Sequence, residues 1–476
     1  MSKAKPKSME QLLEEALVPK DEQPYEVPGN WVWVKFGVVA KLFNGYAFKS
    51  TDYSDEGIPI IRISDLNGME TTPETAVRVP RELYNEKFLV RKGDLLIAMS
   101  GATTGKIGIY NSDEIAMQNQ RVGNIKTIND NILYAAYRNY FVISSSTEIS
   151  KLAYGGAQPN ISGALIESLS FPLPPLNEQK RIADKIERLF AKIDEAKRLI
   201  EEVKESIERR RAVMLEKAFK GQLGTNDPSE KSILETSDDL SEKDVIPKEQ
   251  WPYEVPGNWV WVKFGVVAKL FNGYAFKSTD YSDEGIPIIR ISDLNGMETT
   301  PETAVRVPRE LYNEKFLVRK GDLLIAMSGA TTGKIGIYNS DEIAMQNQRV
   351  GNIKTINDNI LYAAYRNYFV ISSSTEISKL AYGGAQPNIS GALIESLSFP
   401  LPPLNEQKRI AEKLDNLLEK LENEKQLVLA AEEKLDLVKQ SVLQKAFRGE
   451  LGTNDPNDGH AMELVKEALL SSSGQR

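Results

Sequence analysis

The chain repeats itself. Residues 24–183 recur as 252–411, an offset of 228, with all 160 positions identical. Such a chain has to fold as two copies of one unit. The register continues without a gap through "EKAFKGQLGTNDP" (216–228) and "QKAFRGELGTNDP" (444–456). Between these blocks the copies part company: from Asp184 to Met214 only 6 of 31 positions match their partners. Each unit is therefore a globular module followed by a charged segment. Ordinary drift would not spare one half of a unit. A recent duplication, a gene conversion or an exchange of modules would.

The charged segments carry a helical pattern. In the first, apolar residues fall at Ile182, Ile186, Leu189, Ile193, Ala196, Ile200, Val203 and Ile207, in alternating steps of four and three. That is a heptad seam, the pattern of helix packed on helix. The second runs Ile410, Leu414, Leu417, Leu421, Glu424, Val428, Ala431, Leu435, Val438 and Val442. Glu424 interrupts it where the first has Ala196, and Arg210 interrupts the first where the second has Val438. Such offsets suit an unlike pair and help fix its register. The alternative is two separate amphipathic helices, each lying on its own module. Each helix spans about 38 residues, near 57 Å at ~1.5 Å per residue, and "KGQLGTNDP" and "RGELGTNDP" end them with glycine and then proline.

The globular repeat reads as mostly strands. "WVWVKFGVVAKLF", "IPIIRISDL", "KFLVRKGDLLIAMS", "KIGIY", "RVGNIKTI" and "RNYFVISS" are short, β-branched or aromatic runs separated by Gly, Asn, Asp and Pro. "DNILYAAYRNYF" begins as a helix, and "ISGALIESLSFPLPPLNEQKRIA" reads as a short helix, a strand, a proline turn and the long helix. The class is α+β, with irregular β-rich modules.

Several chemistries are excluded. There are no cysteines, hence no disulfides or thiolate metal sites. The single histidine, His460, lies in a polar tail, which removes imidazole-base mechanisms and histidine-rich zinc sites. No run approaches the roughly 18 to 20 apolar residues of a membrane span. The charged N-terminal stretch lacks the apolar core of a signal peptide, so a cytoplasmic protein is expected. "SGATTGKIG" (100–108) resembles a phosphate loop but has three residues between its glycines rather than four. Ile107 also stands where the magnesium-binding hydroxyl belongs, and a strand rather than a helix follows. Nucleotide hydrolysis is not expected.

Four local signatures carry a resemblance over essentially the whole length: "FKSTDYSDEGIPIIRISDL", "RKGDLLIAMSGATTGKIGI", "GGAQPNISGALIESLSFPLPPLNEQKRIA" and "KAFKGQLG". With the two-fold repeat of module and long helix, they resemble the specificity (S) subunit of type I restriction-modification systems, the HsdS family. The resemblance implies two β-rich target-recognition domains joined by two long helices that pair as an antiparallel coiled coil. Each domain would read one half of a split double-stranded DNA target, and the helices would act as a spacer. It implies two methyltransferase subunits and motor-nuclease subunits as partners. No cofactor is implied for this chain, with S-adenosylmethionine, ATP and magnesium on the partners. The expected divisions are 1–23, recognition domain 24–176, helix 177–221, linker 222–251, recognition domain 252–404, helix 405–449 and tail 450–476. Consistent with a non-catalytic role, the only tandem prolines lie in "LPPL", so the methyltransferase tetrad Asn/Asp-Pro-Pro-Tyr/Phe is missing.

Reading DNA requires cations on phosphates and defined donors and acceptors at base edges. The net charge of -8 does not advertise nucleic-acid binding. Between Pro24 and Leu176 stand 14 Lys+Arg against 15 Asp+Glu, so a binding face must arise by segregation. The candidates lie in loops. "GYAFKSTDY" offers Tyr46, Lys49 and Ser50. "IIRISDLNG" offers Arg62, unless it pairs with Asp65. "SGATTGKIG" offers Thr103, Thr104 and Lys106, unless it is a plain hairpin turn. "AMQNQRVGN" sets Gln118, Asn119, Gln120 and Arg121 in a row, amides suited to adenine and a guanidinium suited to guanine. Exposed strands also carry such polar runs. "YGGAQPNISG" supplies Tyr154, Gln158 and Asn160, unless its glycines and proline merely steer the chain. The second copy repeats these as Lys277, Arg290, Thr331, Thr332, Lys334, Gln346, Asn347, Gln348, Arg349 and Gln386.

Identical domains related by an antiparallel helix pair should read identical half-sites on opposite strands, an interrupted palindrome with a spacer set by helix length. At the ends, "MEQLLEEAL" (9–17) resembles "MELVKEAL" (462–469), as a circular organisation would require and as two generic amphipathic helices would also give. The other function class open to this architecture is a non-DNA scaffold presenting two protein- or glycan-binding modules.

Overall fold

A computed structural model describes residues 7–153, 159–329, 331–382 and 387–473, without the side chains of Met69, Met297, Ser472 and Ser473. The chain divides into two compact units, residues 1–200 with 430–476, and residues 201–429. Each unit thus holds one recognition module, the first half of the long helix that follows it and the second half of the other long helix.

In the first unit, α1 (Met9–Ala16) precedes strands β1 (Val32–Lys35), β2 (Ala40–Asn44), β3 (Ile58–Ile61), β4 (Gly68–Thr71), β5 (Arg78–Val79) and β6 (Leu89–Val90). Then come β7 (Leu95–Ala98), β8 (Ile107–Tyr110), β9 (Ala116–Gln118) and β10 (Val122–Thr127), helices α2 (Ala135–Ser144), α3 (Ser146–Ala153) and α4 (Gly163–Glu167), and β11 (Ser170–Leu173). One sheet has the order β2-β10-β7-β8-β4, a second β5-β3-β9-β6, and β1 pairs with β11. The second copy repeats these strands and sheets 228 residues later, with α7 (Ala363–Ser372), α8 (Ser374–Ala381) and α9 (Gly391–Glu395) as its helices.

The run "LLIA" of β7 shows why these strands lack polar alternation. Leu95 and Ile97 face the helical side of the sheet, in the core with Tyr137 and Phe141. Leu96 and Ala98 face the smaller sheet, against Ile61, Val90 and Ala116. A strand buried on both faces reads as continuous apolar sequence. Beyond the smaller sheet, Phe48, Ile60, Val79, Leu89 and Met117 form a further cluster.

"RNYFVISS", expected as a strand, lies in α2. Its aromatic and β-branched residues favour extended structure locally. Tertiary packing overrides that preference: Tyr137 through Val142 are all buried. Strands β4 and β9 carry little strand signal of their own and are held by pairing, β4 with β8 and β9 with β3, both in parallel.

The long helices are α5 (Leu176–Phe219) and α10 (Leu404–Phe447), 44 residues each. That is about 66 Å at ~1.5 Å per residue. Gly221 (φ +70°) and Gly449 (φ +74°) follow their ends in the left-handed region. In both units the two helix segments run antiparallel. Asp194 pairs with Lys439 (3.6 Å) and Lys197 with Asp436 (2.5 Å) in the first unit. In the second, Glu208 pairs with Lys425 (3.6 Å) and Arg210 with Glu424 (2.6 Å). The heptad seam is closed where a module flanks it, at Ile182, Ile186, Ile410 and Leu414. It is more open at Val203 (41% exposed) in one unit and Val438 (47%) in the other, because a two-helix seam has no third layer there.

Each module is seated on both helices. In the first unit Ile182, Ile186 and Phe190 of α5 and Leu443, Ala446 and Phe447 of α10 join the module core, with Phe447 5.2 Å from Tyr137 ring to ring. In the second, Phe219 takes the same place 5.1 Å from Tyr365. A buried carboxylate then latches each helix start to the turn that ends the other helix. Glu178 accepts from the Thr453 hydroxyl (3.0 Å) and the Asn454 N–H (2.9 Å). Glu406 does the same with Thr225 (3.0 Å) and Asn226 (2.9 Å).

The likeness between the chain ends has a structural counterpart. α1 packs on α11 (Met462–Ser473), and Ala16, Ala461, Val465 and Ala468 share the first unit's core. The Val18 N–H donates to the Trp33 carbonyl (3.0 Å), and in the second unit Ile246, 228 residues on, donates to that of Trp261 (2.7 Å). The segment covering the second module, 222–251, is continuous and includes the short α6 (Ile233–Thr236). The one covering the first is assembled from both ends of the chain. That is the circular arrangement, made by packing.

Candidate nucleic-acid interface

The loops singled out in the sequence converge on one edge of each module. The loop 99–106 joins β7 to β8, which pair antiparallel, so it is a hairpin loop and not the strand-to-helix turn of a phosphate loop. Its start is tied to the 119–121 turn by the Met99 N–H on the Arg121 carbonyl (2.8 Å), and to Ile161, whose N–H donates to the Met99 carbonyl (2.7 Å). The 119–121 turn is tied to the loop after β2: Tyr46 N–H donates to Gln118 (3.0 Å) and Gln120 N–H to Tyr46 (2.8 Å). Gly45 permits this approach, since a Cβ there would sit 2.2 Å from the Asn119 carbonyl oxygen.

Not every expected side chain reaches solvent from this edge. Gln118 is 1% exposed, and its amide donates to the carbonyls of Phe43 (2.7 Å) and Val122 (3.4 Å); Gln346 is buried alike and donates to Phe271 (2.8 Å). Gln118 ties β9 to β2, Gln346 ties the equivalent strands of the second module, and both amides are turned away from solvent. The hydroxyls of Thr104 and Thr332 close their own turns on the carbonyls of Gly101 and Gly329, both at 2.7 Å. Those of Thr103 and Thr331 are shut off from solvent and have no partner among the described residues. Arg62 is held by Asp65 through Nε–Oδ2 (3.2 Å) and Nη2–Oδ1 (3.3 Å), and Arg290 by Asp293 with the same distances. Both arginines thus stand just after a strand end with their guanidinium groups engaged by a carboxylate three residues on. Tyr154, Gln158 and Gln386 lie outside the described residues, while Asn160 forms a β-bridge with Ser100.

What remains exposed is a coherent set. Lys49, Lys106, Gln120 and Arg121 are all exposed, as are Lys277, Lys334, Gln348 and Arg349. Asn119 is half-buried, with its Oδ1 accepting the Arg121 N–H (3.3 Å), and Asn347 is placed alike. Among the described residues, none of Lys49, Lys106 and Arg121 has an ion pair. Besides Arg62, the paired cations of the module are Arg78 with Glu114 (2.7 Å), Lys92 with Asp113 (3.1 Å) and Lys126 with Asp94 (3.5 Å). The Arg78 hydrogen bond holds the Glu114 carboxyl below its ordinary range. Lys35, Lys41, Arg81, Lys87, Arg91 and Lys151 are likewise exposed without an ion pair among the described residues, so what sets this edge apart is its cations standing beside exposed Gln120.

The sequence reading offers Tyr46 but misses two features, the aromatic support of its ring and the exposed segment that Phe88 ends. The Tyr46 ring, 49% exposed, rests against Phe48 (5.0 Å) and Phe88 (5.4 Å). Phe88 ends the segment "RELYNEKF", which carries exposed Arg81, Tyr84 and Lys87 in two 3-10 turns. An aromatic between cations in a connection was the signal available. No group of three or more His, Asp or Glu that could hold a metal is found among the described residues.

The family model of the type I restriction modification DNA specificity domain matches twice, over residues 28–205 and 256–432. The EcoBI specificity subunit of Escherichia coli is 27% identical over 439 residues, which are 89% of this chain and 86% of that protein. The MjaVIII specificity subunit of Methanocaldococcus jannaschii is 26% identical over 87% of this chain and 93% of its own length. Among solved structures, one from work on assembly and conformational transition of the type I R-M system aligns with TM-score 0.70 at 22% identity, covering 90% of this chain and all of that one. The HsdS subunit from Thermoanaerobacter tengcongensis aligns with TM-score 0.53 at 20% identity, with the same coverage. With two matched domains covering most of its length, the chain belongs to the family of type I restriction-modification DNA specificity subunits.

Proposed function

We propose that each module reads one half of a bipartite DNA target through the edge formed by the 45–49, 99–106 and 119–121 segments and their copies. Lys49 and Lys106 contact phosphates, while Gln120 and Arg121, with the Asn119 Nδ2 group, which has no partner among the described residues, face base edges. The second module does the same with Lys277, Lys334, Asn347, Gln348 and Arg349. Because the modules are identical, the half-sites are identical and lie on opposite strands, giving an interrupted palindrome whose spacer is set by the long helices. The chain contributes no catalytic group. Methyltransferase subunits that bring S-adenosylmethionine dock on it, and motor-nuclease subunits bring ATP and magnesium. The observation that carries this reading is the joint exposure of Lys49, Lys106, Gln120 and Arg121 on segments that main-chain hydrogen bonds tie to one another. A gel shift of the chain with its methyltransferase across a salt series tests it. A sequence-selective complex that weakens steeply with salt is expected, and a salt-insensitive complex with a protein or glycan would favour the scaffold alternative.

A further inference from the structure

The exposed Tyr46 ring is an unusual thing to find beside a polar run. A half-exposed aromatic on a free loop would be unremarkable. This one is fixed. Its main chain is bonded on both sides, the N–H to Gln118 (3.0 Å) and the carbonyl to Gln120 (2.8 Å). Its ring stands on Phe48, which is 8% exposed and belongs to the cluster of Ile60, Val79, Leu89 and Met117. Phe88 supports it from a second direction. The same arrangement recurs at Tyr274, 49% exposed, with Phe276 (5.0 Å) and Phe316 (5.4 Å). A rigid aromatic presents apolar area with little ordering cost on binding.

Its neighbour supplies the complementary chemistry. Gln120 is exposed, has no side-chain partner among the described residues, and is one main-chain hydrogen bond from Tyr46. An amide matches the N6 and N7 edge of adenine, and in the same major groove the paired thymine offers a C5 methyl group to an apolar contact. We infer that Tyr46 and Gln120, and likewise Tyr274 and Gln348, form a composite reader of one A·T pair in each half-site, with the amide on adenine and the tyrosine ring against the thymine methyl. Tyr46 and Tyr274 are specificity-determining residues by this inference, which rests on the proposed DNA-reading edge.

The test uses the chain assembled with its methyltransferase, and duplexes carrying the sequence that the complex modifies. Thymines of the half-sites are replaced one at a time by deoxyuridine, which removes only the methyl group. Loss of one buried methyl contact predicts about fourfold weaker binding at one position in each half-site. The Tyr46→Ala/Tyr274→Ala variant should bind thymine and deoxyuridine duplexes equally. The Tyr46→Phe/Tyr274→Phe variant, which keeps the ring, should discriminate as the unaltered protein does. Equal binding of both duplexes by the unaltered protein overturns the inference, as does discrimination that survives the alanine substitutions. If the unaltered complex does not prefer its own target to a scrambled duplex, the DNA-reading edge itself fails.

Discussion

Arg210 and Glu424, the two residues that interrupt the heptad seams of their own helices, pair with each other at 2.6 Å. Each break compensates the other, since a charge in a seam is tolerated when its partner stands opposite. Both side chains are more than 40% exposed, so the coupling is expected to be small, about 0.3–1 kcal/mol. A double-mutant cycle with Arg210→Ala and Glu424→Ala, read by thermal unfolding, should show that coupling at low salt and lose most of it at ~1 M salt. Additive single effects at low salt would remove the register role.

Lys106 and Lys334 are assigned to phosphates, and Arg121 and Arg349 to bases, which separates their phenotypes. Replacing both lysines with alanine should weaken binding to all sequences and lower the slope of log affinity against log salt by about 2, near one per phosphate contact. Replacing both arginines should relax the preference at one position of each half-site, at a cost of about 1–3 kcal/mol for the right base. Affinity measured across salt on the cognate and single-mismatch duplexes distinguishes the two patterns.

Gln118 offers a control for the reading of its own run. Because its amide is spent on the Phe43 and Val122 carbonyls, Gln118→Ala should act on stability, by about 1–3 kcal/mol, with the unpaired Phe43 carbonyl as the cause. The folded fraction should bind the target with unchanged base preference. A changed preference in a fully folded protein would return Gln118 to the interface.

The Arg78–Glu114 pair makes a prediction in pH. A carboxyl held below its ordinary range contributes stability above its unfolded pKa, about 4.3, and that contribution disappears as pH falls through the folded value. Glu342 beside Arg306 is shifted the same way for the same reason. Glu114→Gln/Glu342→Gln should therefore lower the unfolding temperature slightly at neutral pH and progressively less as pH falls below the unfolded carboxyl value of about 4.3, the effect being small because both carboxyls are more than 40% exposed. A loss that does not change as pH falls would mean that the ionic part of the contact is negligible.

Much of this architecture is legible from the repeat and from the heptads, because both are periodic and periodicity survives without tertiary knowledge. The continuous run of β7 already hints at a strand covered on both faces. α2 is not legible, since Tyr137 through Val142 carry strand-forming side chains and are made helical by burial on all sides. At the interface the polar run was visible but its division was not. Gln118 and Gln120 are the same residue type two positions apart, but Gln118 ends β9 and turns inward, while Gln120 stands in the turn beyond it, in solvent. Arg62 is similar: sequence shows Asp65 three residues on, and the chelating geometry appears only in the fold.

The central claim, two identical readers on one chain, is tested most directly by mapping modified adenines genome-wide in cells carrying this subunit and its methyltransferase. The account predicts a single motif with two identical half-sites on opposite strands, separated by a fixed number of unspecified base pairs. A motif with two unlike half-sites would contradict it.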